Sequence, residues 1–101
     1  MVRVALWVVL KAKPGKEAAL ESFLSDGLAL ANQESFTPVW FALKLSPSKF
    51  AIFDAFADPA GRKAHLSGQI AAALMARAPE LLAEAPRIEE VDVLAAKLPG
   101  G

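Results

Sequence analysis

Apolar and polar positions fall into blocks of changing period along the chain. Residues 2–12 are rich in Val, Leu and Trp; Val4, Leu6, Val8 and Leu10 share one side of an extended chain, and Ala5, Trp7 and Val9 the other. A strand apolar on both sides is covered on both. The stretch "KPGKEAALESFLSDGLALANQE" then changes period. Leu20, Phe23, Leu24, Leu28 and Ala31 recur at helical spacing with Lys16 and the acids between them. Pro14 suits a first helical turn. Gly27 costs this helix about 1 kcal/mol relative to Ala, which marks a close approach of helix to sheet. Two further apolar runs, "FTPVWFALKLS" and "KFAIFDAFA", joined by "SPSK", read as a hairpin. A loop over residues 46–49 places Leu45 opposite Phe50, Leu43 opposite Ile52 and Phe41 opposite Asp54. Asp58 and Pro59 supply an N-cap and a first helical position. The pattern breaks at Ser67-Gly68 and resumes over "QIAAALMARAPELLAEAP", interrupted at Pro79 and ended by Pro86. "RIEEVDVLAAKL" predicts a last strand, and residues 98–101 a frayed tail.

Strand, helix, strand, strand, helix, strand is the split βαβ order of ferredoxin-like α+β folds. We expect one domain over residues 1–101, with the helices on one face of a four-stranded antiparallel sheet. The other face then carries Trp7, Val9, Trp40, Ala42, Phe53 and Ala55. It is too apolar to meet water. Two sheets packed face to face would bury it, with Trp7, Trp40 and Phe53 in the interface of a homodimer.

Composition points the same way. The 101 residues are 54% hydrophobic and mean hydropathy is +0.36, high for so small a chain. Folding should bury roughly 65% of the exposed surface, which leaves apolar residues over for an interface. Eleven basic residues balance eleven acidic ones, so no electrostatic footprint for nucleic acid or an anionic membrane is expected. One histidine and no cysteine argue against a metal site or a thiol nucleophile. The apolar start is too short to span a bilayer and lacks a cleavage pattern, which predicts a cytoplasmic protein.

The opening strand followed by "KPGKEAALESFL", the hairpin ending in "FAIFDAFAD", "AHLSG" on the second helix and the closing "VDVLAAKL" cover almost the whole chain. In order and spacing they resemble the antibiotic biosynthesis monooxygenase (ABM) domain family of dimeric α+β barrel proteins. The resemblance implies a homodimer with a cavity in each subunit between sheet and helices. It also implies chemistry such as cofactor-free oxygenation, quinol oxidation or haem degradation. Several positions depart from the family's patterns. Asp54-Ala55-Phe56 stands where Glu-x-Trp is common, and "ESFTPVW" where Glu-Pro-Gly or Glu-Gly-Cys is frequent. Ile52 and Phe56 match the asparagine and tryptophan of the cofactor-free oxygenases, and Met75 matches the haem-ligating histidine.

One carboxylate, Asp54, lies inside an apolar strand, and the only histidine, His65, follows on the next helix. A buried carboxylate needs a partner. A buried Asp54–His65 pair would orient the imidazole and raise its basicity, so that it could take a proton from a phenol or hydroquinone. The electron-rich anion could then reduce dioxygen with no cofactor. Phe41, Ile52, Phe56, Leu74 and Met75 are the candidate substrate-binding wall. The plainer alternative has Asp54 bonding a backbone amide, Arg62 or Lys63, with His65 purely structural. Two functions follow. One is a cofactor-independent monooxygenase acting on an aromatic or quinol-like molecule. The other is a non-catalytic dimeric barrel that binds a small apolar ligand or serves a stress response.

Overall fold

The computed structural model describes residues 1–99. The order is β1 (Val4–Lys11), α1 (Glu17–Ala31), β2 (Val39–Ser46), β3 (Lys49–Phe56), α2 (Pro59–Leu66), α3 (Gln69–Leu81) and β4 (Arg87–Asp92). The strands form one antiparallel sheet in the order β2-β3-β1-β4. This is the expected ferredoxin-like α+β arrangement, with the second helical segment divided in two at Ser67-Gly68.

The period-two pattern of β1 decides where the core lies. Val4, Leu6, Val8 and Leu10 join Phe50, Ile52 and Phe56 of β3 on one face, and Leu20, Leu24, Leu74 and Leu81 descend onto them from α1 and α3. On the opposite face Ala5 and Ala55 cluster with Val2, flanked by Val39, Phe53, Val91 and Val93.

Several boundaries differ from those expected. Pro14 precedes α1 instead of starting it: Gly15 takes a left-handed φ of 85°, which turns the chain before Glu17. Pro79 lies within α3 and does not interrupt it. It stands in the last turn, where its missing N–H costs only one helical bond. The helix ends at Leu81, well before Pro86, because residues beyond it return to β1: Ala12 bridges Leu82 and Ala83 N–H donates to the Lys11 carbonyl at 2.8 Å. β4 stops at Asp92, short of the strand expected to residue 98. It pairs with β1, which starts at Val4; Val93 N–H still donates to the Arg3 carbonyl at 2.9 Å, and Leu94 beyond it is exposed. Of the expected frayed tail, Leu98 and Pro99 are in neither helix nor strand, and Gly100 and Gly101 lie outside the described residues.

The most consequential correction is in the hairpin. Ser46 pairs with Lys49, as the short loop requires, but the register shifts between Lys44 and Ser46. Leu45 is the extra residue, a β-bulge. Beyond it Lys44 faces Phe50, Ala42 faces Ile52, Phe41 faces Phe53 and Trp40 faces Asp54. A slip of one residue moves every side chain of β2 to the other face. Trp40 and Ala42 therefore turn toward the helices, and Phe41 toward the outer face with Trp7 and Phe53. Phe41 is not part of a substrate wall, and Trp40 is not part of an outer-face interface.

Candidate functional site

Asp54 sits on β3 between Ile52 and Phe56, on the helix-covered face of the sheet, and is 1% exposed. α2 brings the histidine to it. Its N-cap Asp58 accepts a 2.9 Å bond from Gly61 N–H, with Pro59 at the first helical position. From that fixed start His65 falls on the face packed against the sheet and is buried. The chain then breaks at once. Ser67 N–H and Gly68 N–H return to the carbonyls of Lys63 and His65 at 3.2 and 3.0 Å.

His65 Nε2 is 2.9 Å from Asp54 Oδ2, so the two residues meet directly. The contact is short but poorly aligned, and neither Asp54 oxygen has a well-directed donor within the protein. The other ring nitrogen has a closer partner that sequence reasoning missed. His65 Nδ1 is 2.6 Å from Glu34 Oε1. Glu34 lies in the connection between α1 and β2, and Thr37 Oγ1 donates to the same Oε1 at 2.8 Å. Glu34 and His65 side chains are each 8% exposed. A signal did exist: the acid of "ESFTPVW", noted only as a departure from a family pattern. Nothing in the local periodicity connects it to a histidine 31 residues away. Arg62, the alternative partner for Asp54, points elsewhere, to the Ala5 and Val91 carbonyls and to Glu90.

A ring between two carboxylates favours its proton. Burial opposes the charged form, but hydrogen bonding and charge from Asp54 and Glu34 outweigh it and hold His65 above its ordinary value of 6.5. A raised folded-state value makes the contribution to stability complete below about pH 6.5 and lost as pH rises through the folded value. Urea midpoints are therefore expected to fall across that window. In Asp54→Asn the fall should flatten; parallel profiles for the two proteins would show that the pair is uncoupled from folding.

Beside the pair lies a cavity of about 110 Å³ between the sheet and the helices. Ile52, Asp54, His65, Leu74 and Met75 line it, together with Leu6, Val8, Phe23, Gly27, Trp40 and Ile70, for which the sequence suggested no place in a cavity wall. Leu66, Met75 and Ile88 are lining residues that also reach solvent and form its mouth. Phe56 is not a wall residue. It is 0% exposed within the core, with its ring 5.3 Å from the His65 ring. Gly27 faces Trp40 and Ile70, and a Cβ there would lie 3.4 Å from both, at the edge of ordinary contact. Few of the lining residues carry polar side-chain groups: Asp54, His65 and Trp40, whose buried Nε1–H has no acceptor among the described residues. Trp40 and Asp54 are directly paired across β2 and β3, so both residues stand on the cavity side of the hairpin. Among the described residues, no three His, Asp or Glu side chains are arranged to hold a metal ion, and no helix is long and apolar enough to cross a membrane.

No family model matches the chain, and no curated protein does. Solved structures do. The NE2512 protein of unknown function from Nitrosomonas europaea is 64% identical, superposes with a TM-score of 0.97, and the match covers 100% of this chain and 98% of that one. A second protein of the same organism, provisionally named an antibiotic biosynthesis monooxygenase, is 15% identical with a TM-score of 0.81, over 91% of this chain and 99% of its own. A Caulobacter crescentus protein with the same provisional name is 22% identical with a TM-score of 0.79, over 93% of this chain and 92% of its own. At those identities the likeness is one of fold.

Proposed function

We propose, from the premise that the chain belongs to one family with the NE2512 protein and carries the fold of ABM-like proteins, that it is an oxygenase of small hydroxylated aromatic molecules. The observation that carries this is the cavity's chemistry: walls mainly of apolar side chains, with the contacting Asp54–His65 pair and Trp40 among the lining residues. A phenolic hydroxyl would donate to Asp54 while its ring fills the apolar space. An apolar cavity of 150 Å³ is known to hold one benzene, so about 110 Å³ favours a single ring with its far end at the mouth beside Met75 and Ile88.

Asp54 takes the phenolic proton, and the His65 imidazolium compensates the buried charge. The phenolate gives one electron to dioxygen. The resulting superoxide adds to the ring radical at the carbon para to the hydroxyl, forming a C–O bond. Loss of that carbon's hydrogen and cleavage of the O–O bond leave a quinone; the second oxygen departs as water with the two hydrogens the substrate gave up. The balance is phenol plus dioxygen to quinone plus water, with no further reductant.

The test is oxygen uptake against phenols and hydroquinones of one to three rings. Uptake with stoichiometric quinone, best with one ring, is expected. No uptake from any of them would remove the oxygenase reading. The second reading, a ligand-binding barrel without turnover, has one observation in its favour: both His65 nitrogens are committed to carboxylates, as a structural clamp would have them. It requires tight phenol binding with no oxygen uptake.

The outer face supports a homodimer. Trp7 and Phe53 are half-buried and Phe41 is 52% exposed, all three on one side of the sheet. A second copy packed against them would bury an area above the roughly 1,000 Å² of a specific contact. Phe41→Glu is expected to halve the mass seen by sedimentation at micromolar concentration, and Trp40→Glu, on the helix side, is not. A wild-type monomer at that concentration would end the idea.

A further inference from the structure

We infer that Glu34 is a positioning residue of this site: its hydrogen bond to Nδ1 holds His65 as an imidazolium between two carboxylates, with the other nitrogen turned to Asp54. The inference rests on Asp54 being the proton acceptor, as proposed above. Three buried groups stand in line, carboxylate, imidazole, carboxylate, at 2.6 Å and 2.9 Å. A neutral imidazole has one N–H and serves one carboxylate; only the cation serves both. The shorter contact is the one to Glu34, and it is the hydrogen-bonded one, as a short charge-assisted bond would be, so Glu34 is the stronger anchor of the ring.

Two further features keep that carboxylate in place. Thr37 Oγ1 donates to Glu34 Oε1 at 2.8 Å and lies only at 3.5 Å from His65 Nδ1, so it fixes the acid and could not replace it. Glu34 Oε2 is buried with no partner among the described residues, and it lies against Gly68: a Cβ there would come within 2.7 Å of it, so the carboxylate would have to shift. The φ of Gly68 is −88°, a conformation open to any residue, so the requirement for glycine here is space for Glu34 and not backbone freedom. The break between α2 and α3 thus has a use: it places a residue without a side chain against the acid that grips the histidine.

Removing Glu34 leaves His65 Nδ1 without an acceptor and takes away half of the negative charge around the ring. Asp54 on β3 and Glu34 on the α1–β2 connection are the titratable groups that contact His65. Arg62 on its own helix is turned to β1 and β4, and the charged residues of α3, Arg77 and Glu80, pair with each other. The imidazolium then loses its proton at lower pH, and Asp54 faces the cavity without a cation behind it.

NMR titration of the single histidine tests this in wild type, Glu34→Gln and Gly68→Ala, alongside the pH profile of oxygen uptake. Glu34→Gln is expected to lower the histidine midpoint by about one to three pH units. The alkaline limb of uptake should move down with it. Gly68→Ala, which keeps the acid but displaces it, should move both in the same direction by less, and it carries the test if Glu34→Gln fails to fold. Unchanged midpoints overturn the inference. A midpoint that moves while the alkaline limb stays also overturns it, because Glu34 would then grip the ring without acting on the reaction. If wild type consumes no oxygen, the proposed function falls by itself, and the midpoints alone decide whether Glu34 holds the ring.

Discussion

Asp54→Asn is expected to lower oxygen uptake by about 10²–10⁴-fold, the usual contribution of a positioned general base. Asparagine has nearly the same shape, so the cavity and the pairing with Trp40 across the hairpin are kept. What it cannot do is take a proton. It also removes one of the two carboxylates that hold His65 charged, so the histidine midpoint should fall as well. The two readouts separate catalysis from architecture. A large loss of uptake with unchanged phenol affinity marks Asp54 as the proton acceptor. Uptake within about tenfold of wild type would exclude it, because among the described residues no other carboxylate lines the cavity.

Phe56→Ala is expected to cost about 3–5 kcal/mol of folding stability, the range for deleting a buried phenylalanine. A domain of this size has about 5–15 kcal/mol in total, so the variant should be largely unfolded at moderate urea. Phe56 is fully buried and packs at a tilt against His65, so the ring supports the histidine from within the core. Thermal or urea denaturation measures the loss, and phenol affinity measured on the remaining folded fraction should stay close to wild type. A stable variant with weakened phenol binding would return Phe56 to the cavity wall.

The pairing of Asp54 and His65 was legible because each is the only residue of its kind in its stretch, and strand alternation put the acid on the face that the next helix covers. Glu34 was not legible. It sits in an irregular connection, where no period links position to direction, and it reaches the histidine only because the end of α1 and the break after α2 lie side by side in the fold. The exchange of Trp40 and Phe41 has a different cause. One residue, Leu45, bulges out of the ladder, and an apolar run that is acceptable on both faces gives no hint of which parity is right.

The sequence by itself determined the order of elements, the core face of β1, the cap of α2 and the identity of the acid and the histidine. These depend on periodicity and local chemistry, which act over a few residues. Only the tertiary structure decided the register of β2, the passage of α3 through Pro79, the early end of β4 and the second carboxylate on His65. Each of those depends on a contact between segments distant in the chain. There the local preference is weak, and packing together with the pairing of buried polar groups selects the outcome.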